Sequence, residues 1–390
     1  MFRFVLVLAC CQAAIAQGYG ASGAAGPSNY ARYQQNQYSG ENSGQQYGSG
    51  QYQDRQYAGQ QSPSSFSSYF GAKLQTTAKL AAKFQHLTKT WTAGSNPKPP
   101  ASYRSGVNMI ELEKTRLPLG ILADVEDLNL PETFDARQQW PECQSLKEIR
   151  DQGCCGSCWA VSAASTMTDR WCIRSKGKEH FLFGAMDLLT CCLSCGQGCR
   201  GGVPGPAWNF WVEKGLSSGG QLNSRQGCHP YSIGECHIPG EDEDTPKCSK
   251  KCQSGYNVTE VWQDRRFGRV AYSLPNDERK IMEEIFVNGP VQATFWTYLD
   301  LHAYKSGVYR HVWGPQAGGH AVKLLGWGIE NNTKYWLVAN SWGKGWGDNG
   351  FFKIVRGENH CGIEENIHAG LPNLRRKPQD ADYFQGYNYN

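Results

Sequence analysis

The chain has 390 residues, enough for one large or two modest domains with additional segments, and a formal net charge of +4. So small an imbalance excludes a strong polyelectrolyte partner and gives nucleic-acid binding little support. Of its sixteen cysteines, Cys10 and Cys11 lie near the start and the other fourteen fall between Cys143 and Cys361, a density that fits an oxidising compartment.

Taken in chain order, residues 1–16 carry one early positive charge, an apolar run and the small-x-small site Ala14-Ile15-Ala16. This predicts a secretory signal peptide cleaved after Ala16. The run is shorter than the ~20 apolar residues of a membrane span, and no later segment qualifies. Residues 17–69 are rich in Gln, Gly, Ser and Tyr and contain no Leu, Ile, Val, Met, Trp or Cys. Such a stretch cannot bury enough apolar surface to offset its ordering entropy, so disorder is expected. Its Gly-Gln-Tyr steps fit self-associating low-complexity sequence, but a solvated spacer is the better reading. The polar tail, residues 373–390, ends in a similar composition.

Residues 70–129 form a third segment. From Ala72 to Trp91, Leu74, Leu80, Phe84 and Leu87 recur at near-helical spacing with Lys73, Lys79, Lys83 and Lys89 between them. The pattern predicts a basic amphipathic helix packed on its own protein, broken by Pro97, Pro99 and Pro100. From Leu130 onward the chain reads as globular. Helices are expected over Ser157–Cys172, Val203–Lys214 (ending at Gly215) and Asp277–Val287. Strands are expected over His320–Gly328, Tyr335–Asn340 and Phe351–Val355. Helices first and strands later give an α+β protein with a helical half, a sheet half and a cleft between them as the natural place for a site.

The chemistry concentrates at Gln152-Gly-Cys-Cys-Gly-Ser-Cys158-Trp159. A cysteine opening a helix feels the positive end of the dipole, which favours its thiolate. A thiolate nucleophile needs a base near in space, and His320, after Gly318-Gly319, is the candidate. Asn340, in Asn340-Ser-Trp-Gly, can hold the imidazole in one orientation as the third member of such a set. Gln152 can donate its side-chain amide to a developing oxyanion, together with the backbone N–H of Cys158.

Cys155-Gly-Ser-Cys158-Trp159, with His320-Ala321 and Asn340-Ser341-Trp342 downstream, resembles the papain and cathepsin cysteine proteases. The spacings of 162 and 182 residues from Cys158 to His320 and Asn340 are similar to the cathepsin B branch. So are Leu130-Pro-Glu-Thr-Phe-Asp-Ala-Arg, Asp187-Leu-Leu-Thr-Cys-Cys, Cys228-His-Pro-Tyr-Ser-Ile, Thr245-Pro-Lys-Cys-Ser-Lys and His360-Cys-Gly-Ile-Glu. The resemblance covers residues 130–372 closely and the preceding segment loosely. It implies a papain-like two-domain fold, with a helical left domain, a β-barrel-like right domain and the cleft between them. It implies Cys158 as nucleophile, His320 as base and acid, Asn340 as orienter and Gln152 in the oxyanion hole. Gly201 and Gly202 would bind substrate backbone, and Trp342 would shield the His320–Asn340 pair. Residues 70–129 would be an inhibitory propeptide lying along the cleft, with processing before Leu130. Implied partners are peptide and protein substrates, the chain's own propeptide and cystatin-type inhibitors. The implied location is the secretory pathway, extracellular or lysosomal.

Family pairing implies disulfides Cys143–Cys172, Cys155–Cys199, Cys191–Cys248, Cys192–Cys195 and Cys228–Cys252, leaving Cys154, Cys236 and Cys361 unassigned. The run from Cys191 to Cys199 could also suggest zinc, but disulfides are the better default in a secreted chain, and no metal or cofactor is indicated. Cys155-x-x-Cys158 alone also fits a thioredoxin-like redox pair, which needs a small βαβ domain that nothing else here supports. The main rival to an enzyme is a non-enzymatic matrix or scaffold protein on a protease fold, kept open by the Gln/Tyr-rich region.

Two departures from the family matter. The stretch Cys236–Cys248, where cathepsin B carries a loop that closes one end of the cleft with two histidines, is short here. It has only His237, lacks the loop's second internal cysteine, and carries Glu241, Asp242, Glu243 and Asp244. Those charges oppose binding of a substrate's C-terminal carboxylate, so endopeptidase activity is expected. The position that recognises arginine in the second subsite falls on Asn366, with Val203 in place of a tyrosine nearby, so apolar side chains are expected there. Asn257-Val-Thr and Asn331-Asn-Thr are expected glycosylation sites.

Overall fold

The computed structural model describes residues 76–98, 103–120, 128–236 and 243–380. The expected signal peptide, the Gln/Tyr-rich segment and the end of the tail lie outside these residues, as does His237. In the leading segment, helix α1 spans Thr77–Ala81, strand β1 spans Trp91–Ala93 and helix α2 spans Met109–Leu112. The single helix expected from Ala72 to Trp91 is therefore replaced by one short helix, a 3-10 turn at Gln85–Leu87 and a strand. Leu80 and Phe84 are buried, but Leu87 is 40% exposed. Trp91 explains the break: it pairs in sheet geometry and packs on Phe84, Tyr304 and Tyr309, and its indole Nε1 donates to Arg310 O at 2.9 Å.

The rest of the chain begins with strand β2 (Phe134–Asp135) and helix α3 (Ala136–Gln139). Helix α4 (Cys158–Arg174), α5 (Ala185–Cys191) and α6 (Pro204–Glu213) make up the helical half, followed by the single turn α7 (Val261–Asp264). Then come β3 (Gly268–Leu274), α8 (Glu278–Asn288), β4 (Val291–Tyr298), β5 (Tyr304–Tyr309), β6 (Gln316–Glu330), β7 (Thr333–Ala339), β8 (Phe351–Val355) and β9 (Asn366–Pro372). The strand order is β1-β5-β8-β7-β6-β4-β9-β3, with β2 paired to β6. The half expected to be barrel-like is an open sheet, and most of its pairs are antiparallel, with β5–β8 parallel. β6 and β7 join through Asn331 and Asn332 at φ of 47° and 59°, the two-residue turn whose twist suits a hairpin. Asn331 and Asn257 are both exposed.

Two apolar cores underlie the two halves. One gathers α4, α5 and α6 around Trp159, Trp171, Trp208 and Trp211. The other fills the sheet around Trp327, Trp336, Trp346 and Phe352. Helix α4 runs between them, and the small residues Ala160, Ala163 and Ala164 let it approach closely. Polar links cross the seam: Lys323 Nζ reaches Asp169 at 2.6 Å and Ser165 at 2.9 Å, all buried. Arg170 pairs with Glu284 at 2.8 Å, with both side chains fully buried. Among the described residues no helix is long and apolar enough to cross a membrane.

Among the described residues six disulfides pair Cys143 with Cys172, Cys154 with Cys236, Cys155 with Cys199, Cys191 with Cys248, Cys192 with Cys195 and Cys228 with Cys252. The run from Cys191 to Cys199 is thus consumed in disulfides rather than offered to zinc. Cys154 and Cys236, which no family pairing assigned, bond to each other and fasten the start of the short loop beside Cys155. Among the described residues Cys158 and Cys361 are the free thiols.

Candidate active site

Cys158 is the first residue of the 17-residue helix α4, so its thiol sits at the helix N-terminus. His320 lies on β6 and Asn340 directly follows β7. Their strands pair in antiparallel register with Lys323 opposite Ala339, which brings the imidazole and the amide together. His320 Nε2 and Asn340 Oδ1 are 2.8 Å apart. The backbone N–H of Ser341 also donates to that Oδ1 at 2.8 Å, which identifies the atom as an acceptor. Nε2 therefore carries the proton, and the lone pair is left on Nδ1. Nδ1 is buried with no hydrogen-bond partner among the described residues. The backbone amide of Ala321, the residue after His320, lies close enough to the Cys158 sulfur to favour its thiolate, so thiol and imidazole share one locale. The indole of Trp342 stacks on the His320 ring at 4.8 Å and 29°.

Gln152 is aimed by its neighbours. Its Oε1 accepts from Ser341 Oγ at 2.6 Å, which turns Nε2 outward to donate to Cys155 O at 2.8 Å and Arg104 O at 3.3 Å. Tyr231 O–H donates to Gln152 O at 2.8 Å and holds the main chain. Ser341 and Tyr231 were not singled out as site residues in the sequence, although they sit inside the motifs Asn340-Ser341-Trp342 and Cys228-His-Pro-Tyr-Ser-Ile.

The leading segment crosses this site. Gly106 N and Val107 N donate to Gly319 O at 3.0 and 2.9 Å. On the other side Gly202 N donates to Gly106 O at 2.9 Å, and Asn108 N to Gly202 O at 3.0 Å. Trp342 Nε1 donates to Arg104 O at 2.9 Å. Gly201 has φ of 114°, a conformation that favours glycine, and carries the turn into Gly202. Asn366 opens β9 opposite Thr294, nearly buried, with Oδ1 unpartnered among the described residues. Val203 is buried just before α6.

Under this cover Cys158 and His320 are both fully buried. Burial pushes the Cys158 thiol up to about 12, against the opposing backbone amides of Ala321, Gly106, Trp159 and Cys158. Burial likewise holds the His320 imidazole down to about 4, opposed by Asn340. Both groups are neutral at intermediate pH in this state, because desolvation outweighs the helix terminus that favours a thiolate. With water admitted, the same arrangement offers a nucleophilic sulfur, a base with a fixed tautomer and an aimed amide donor.

Comparison with known proteins gives the same grouping. The family model for papain family cysteine proteases matches residues 130–371. The chain is 44% identical over 302 residues to cathepsin B-like cysteine proteinase 5 of Caenorhabditis elegans, covering 74% of this chain and 88% of that one. It is 45% identical over 272 residues to a cathepsin B-like cysteine proteinase of Schistosoma japonicum, covering 67% and 78%. Among solved structures, procathepsin B S9 from Trypanosoma congolense matches with a TM-score of 0.67 and 38% identity, covering 76% of this chain and 98% of that one. The chain belongs to the papain family of cysteine proteases, on its cathepsin B-like side.

Proposed function

We propose that this protein is a secreted zymogen of a cysteine endopeptidase, in which Cys158 attacks the peptide carbonyl and residues up to about 129 are an inhibitory prosegment. The observation that carries the reading is the seating of Arg104–Asn108 over Cys158, hydrogen-bonded to Gly202 on one wall and Gly319 on the other. A peptide substrate needs that groove, so the prosegment and a substrate exclude each other. Once the prosegment leaves, hydration lets the proton pass from the Cys158 sulfur to His320 Nδ1, giving a thiolate and an imidazolium. The thiolate adds to the carbonyl carbon. The oxyanion takes N–H bonds from Gln152 and Cys158. His320 then gives its proton to the departing amine, leaving a thioacyl-enzyme. Water, deprotonated by His320, hydrolyses the thioester and restores the thiol. Asn340 holds the ring throughout, and Trp342 covers it.

The short, acidic Cys236–Cys248 stretch, fastened at Cys236 to Cys154, supports cleavage within chains over removal of C-terminal dipeptides. Asn366 in place of a carboxylate supports apolar over basic side chains at P2, the residue preceding the one whose carbonyl is attacked. Other expected partners are protein substrates and cystatin-type inhibitors, in the extracellular space or the lysosome. Mass spectrometry of peptides digested by the acid-processed protein tests this. Internal cuts should dominate. Efficient stepwise release of C-terminal dipeptides would contradict the endopeptidase reading, and faster turnover of an Arg-Arg than a Phe-Arg substrate would contradict the P2 reading.

A further inference from the structure

Beside the groove, one patch of the sheet carries polar atoms that nothing in the mechanism uses. His368 lies on β9, directly opposite Ser273 on β3 and Gln292 on β4. Residues paired in this way point to one face of the sheet, and Asn366, two positions back on β9, shares that face. Gln292 is fully engaged, accepting from Trp208 Nε1 at 2.7 Å and donating to Ser162 Oγ and Trp159 O. The others are not. Both ring nitrogens of His368, Ser273 Oγ and Asn366 Oδ1 are buried without a hydrogen-bond partner among the described residues. Leaving such atoms unpaired is unfavourable, and a cluster of four calls for an explanation.

The prosegment supplies the cover. Arg116 Nη2 donates to Leu274 O at 3.2 Å and Glu365 O at 3.4 Å, which straps the segment across β3 and the start of β9. Gly205 lies between groove and patch. A side chain there would begin 3.6 Å from His368 Nε2 and 2.1 Å from Thr115 O, so the prosegment backbone and the imidazole flank the same glycine. Gly205 lies three residues beyond Gly202, whose backbone pairs with whatever chain occupies the groove. The patch therefore lies beside Gly202, under backbone that departs with the prosegment.

We propose that His368 is a specificity-determining residue of the processed enzyme, selecting peptides with an acidic side chain at P2 when the medium is acidic. This rests on the protease reading above and adds a substrate class to it. Burial holds the seated His368 ring down to about 3, with Arg116 pushing the same way. Removal of the prosegment takes away Arg116 and the backbone cover at Thr115, and an imidazole hydrated there gains its proton near pH 6.5. The neighbours facing it leave that charge unopposed: Ser273 from β3, Gln292 and Thr294 from β4, Gly205 and Trp208 from α6, and Asn366 on its own strand are all uncharged. Among the described residues Arg116 is the one charge acting on the ring, and it departs with the prosegment. Between about pH 4.5 and 6.5 a P2 glutamate is ionised while His368 is protonated, so the pair forms a charge-assisted hydrogen bond. Asn366 can donate a second bond to the same carboxylate.

The test compares kcat/KM for two fluorogenic peptides that differ only in Glu or Gln at P2, across pH 4.5–7.5, with the processed enzyme. The ratio cancels the pH dependence of the catalytic groups. The Glu/Gln ratio should rise by about tenfold from pH 7.5 to 5.5, as expected for one hydrogen bond gaining a charge. The rise should vanish in His368→Gln. A ratio that stays flat with pH in the unsubstituted enzyme overturns the proposal, whether or not the variant folds, as does a rise that persists in His368→Gln. Absence of turnover of a P2 leucine peptide by the unsubstituted enzyme would instead overturn the protease reading itself.

Discussion

Of the described prosegment glycines Gly106 has the least room, and Gly106→Ala is the perturbation that probes inhibition most sharply. A Cβ at Gly106 would lie 1.8 Å from Gly156 O and 2.2 Å from Gly156 C, both backbone atoms of the loop before α4. Neither can swing aside as a side chain could, so the prosegment must lift. Lifting breaks four backbone bonds: Gly106 N and Val107 N to Gly319 O, Asn108 N to Gly202 O, and Gly202 N to Gly106 O. At about 1 kcal/mol each, the seated state weakens by about 4 kcal/mol. Since 1.4 kcal/mol is tenfold, the open fraction rises about a thousandfold. The assay is the rate of iodoacetamide labelling of Cys158 in the intact zymogen at neutral pH, with peptide mapping to separate it from Cys361. Cys158 is fully buried beneath the segment, so its labelling reports opening. A rise of two to three orders of magnitude is expected in Gly106→Ala. Labelling at the unsubstituted rate would refute the claim that this crossing blocks the site.

Other consequences follow from the same geometry. Gln152→Ala should lower kcat of the processed enzyme by about 10²–10³-fold with little change in KM, as loss of one oxyanion donor does. Ser341→Ala, which frees the Gln152 amide to turn, should give a smaller loss of about tenfold, and a loss larger than that of Gln152→Ala would show that Ser341 does more than aim Gln152. His302 gives a pH dependence: Tyr103 of the prosegment packs on it at 5.8 Å, and burial, with the nearby His320, holds its ring down to about 3 against the opposing pull of Asp300. Above pH ~6.5 the seated and released states are both neutral there. Below it the released, hydrated ring takes a proton that the seated ring refuses, so seating weakens by ~1.4 kcal/mol per pH unit until the buried ring titrates near 3. At pH 5 that is about 2 kcal/mol. Zymogen labelling measured against pH should therefore rise less steeply toward acid in His302→Leu, and an unchanged slope would dismiss this histidine. Arg170→Met should destabilise the fold by about 3–5 kcal/mol in urea unfolding, because Glu284 would lose its buried counterion.

The candidate site was legible in the sequence because it is written in short motifs. Gln152, Cys158, His320 and Asn340 each stand among distinctive neighbours, and the register of β6 and β7 brings the last two together. Helices α4, α6 and α8 were legible from their periodicity and end signals, to within one or two residues at their starts. Strands β3, β4, β5 and β9 were not anticipated. β4 is buried along nearly its whole length, so it lacks the alternation that marks a half-exposed strand. The leading segment was misread as a continuous helix because its apolar spacing is set by the surface it covers, Phe84 and Trp91 being held by Trp313, Tyr304 and Tyr309. The Cys154–Cys236 bond joins residues 82 positions apart, a pairing that spacing alone does not disclose. The patch around His368 was equally silent, since its members come from strands that meet only in the folded sheet.

The most direct test of the central claim is turnover of a fluorogenic Phe-Arg peptide by the acid-processed protein beside its Cys158→Ala counterpart. Hydrolysis by the first and none by the second is the predicted result. A processed, folded protein that leaves this peptide and a broad peptide library uncut would contradict the enzyme account.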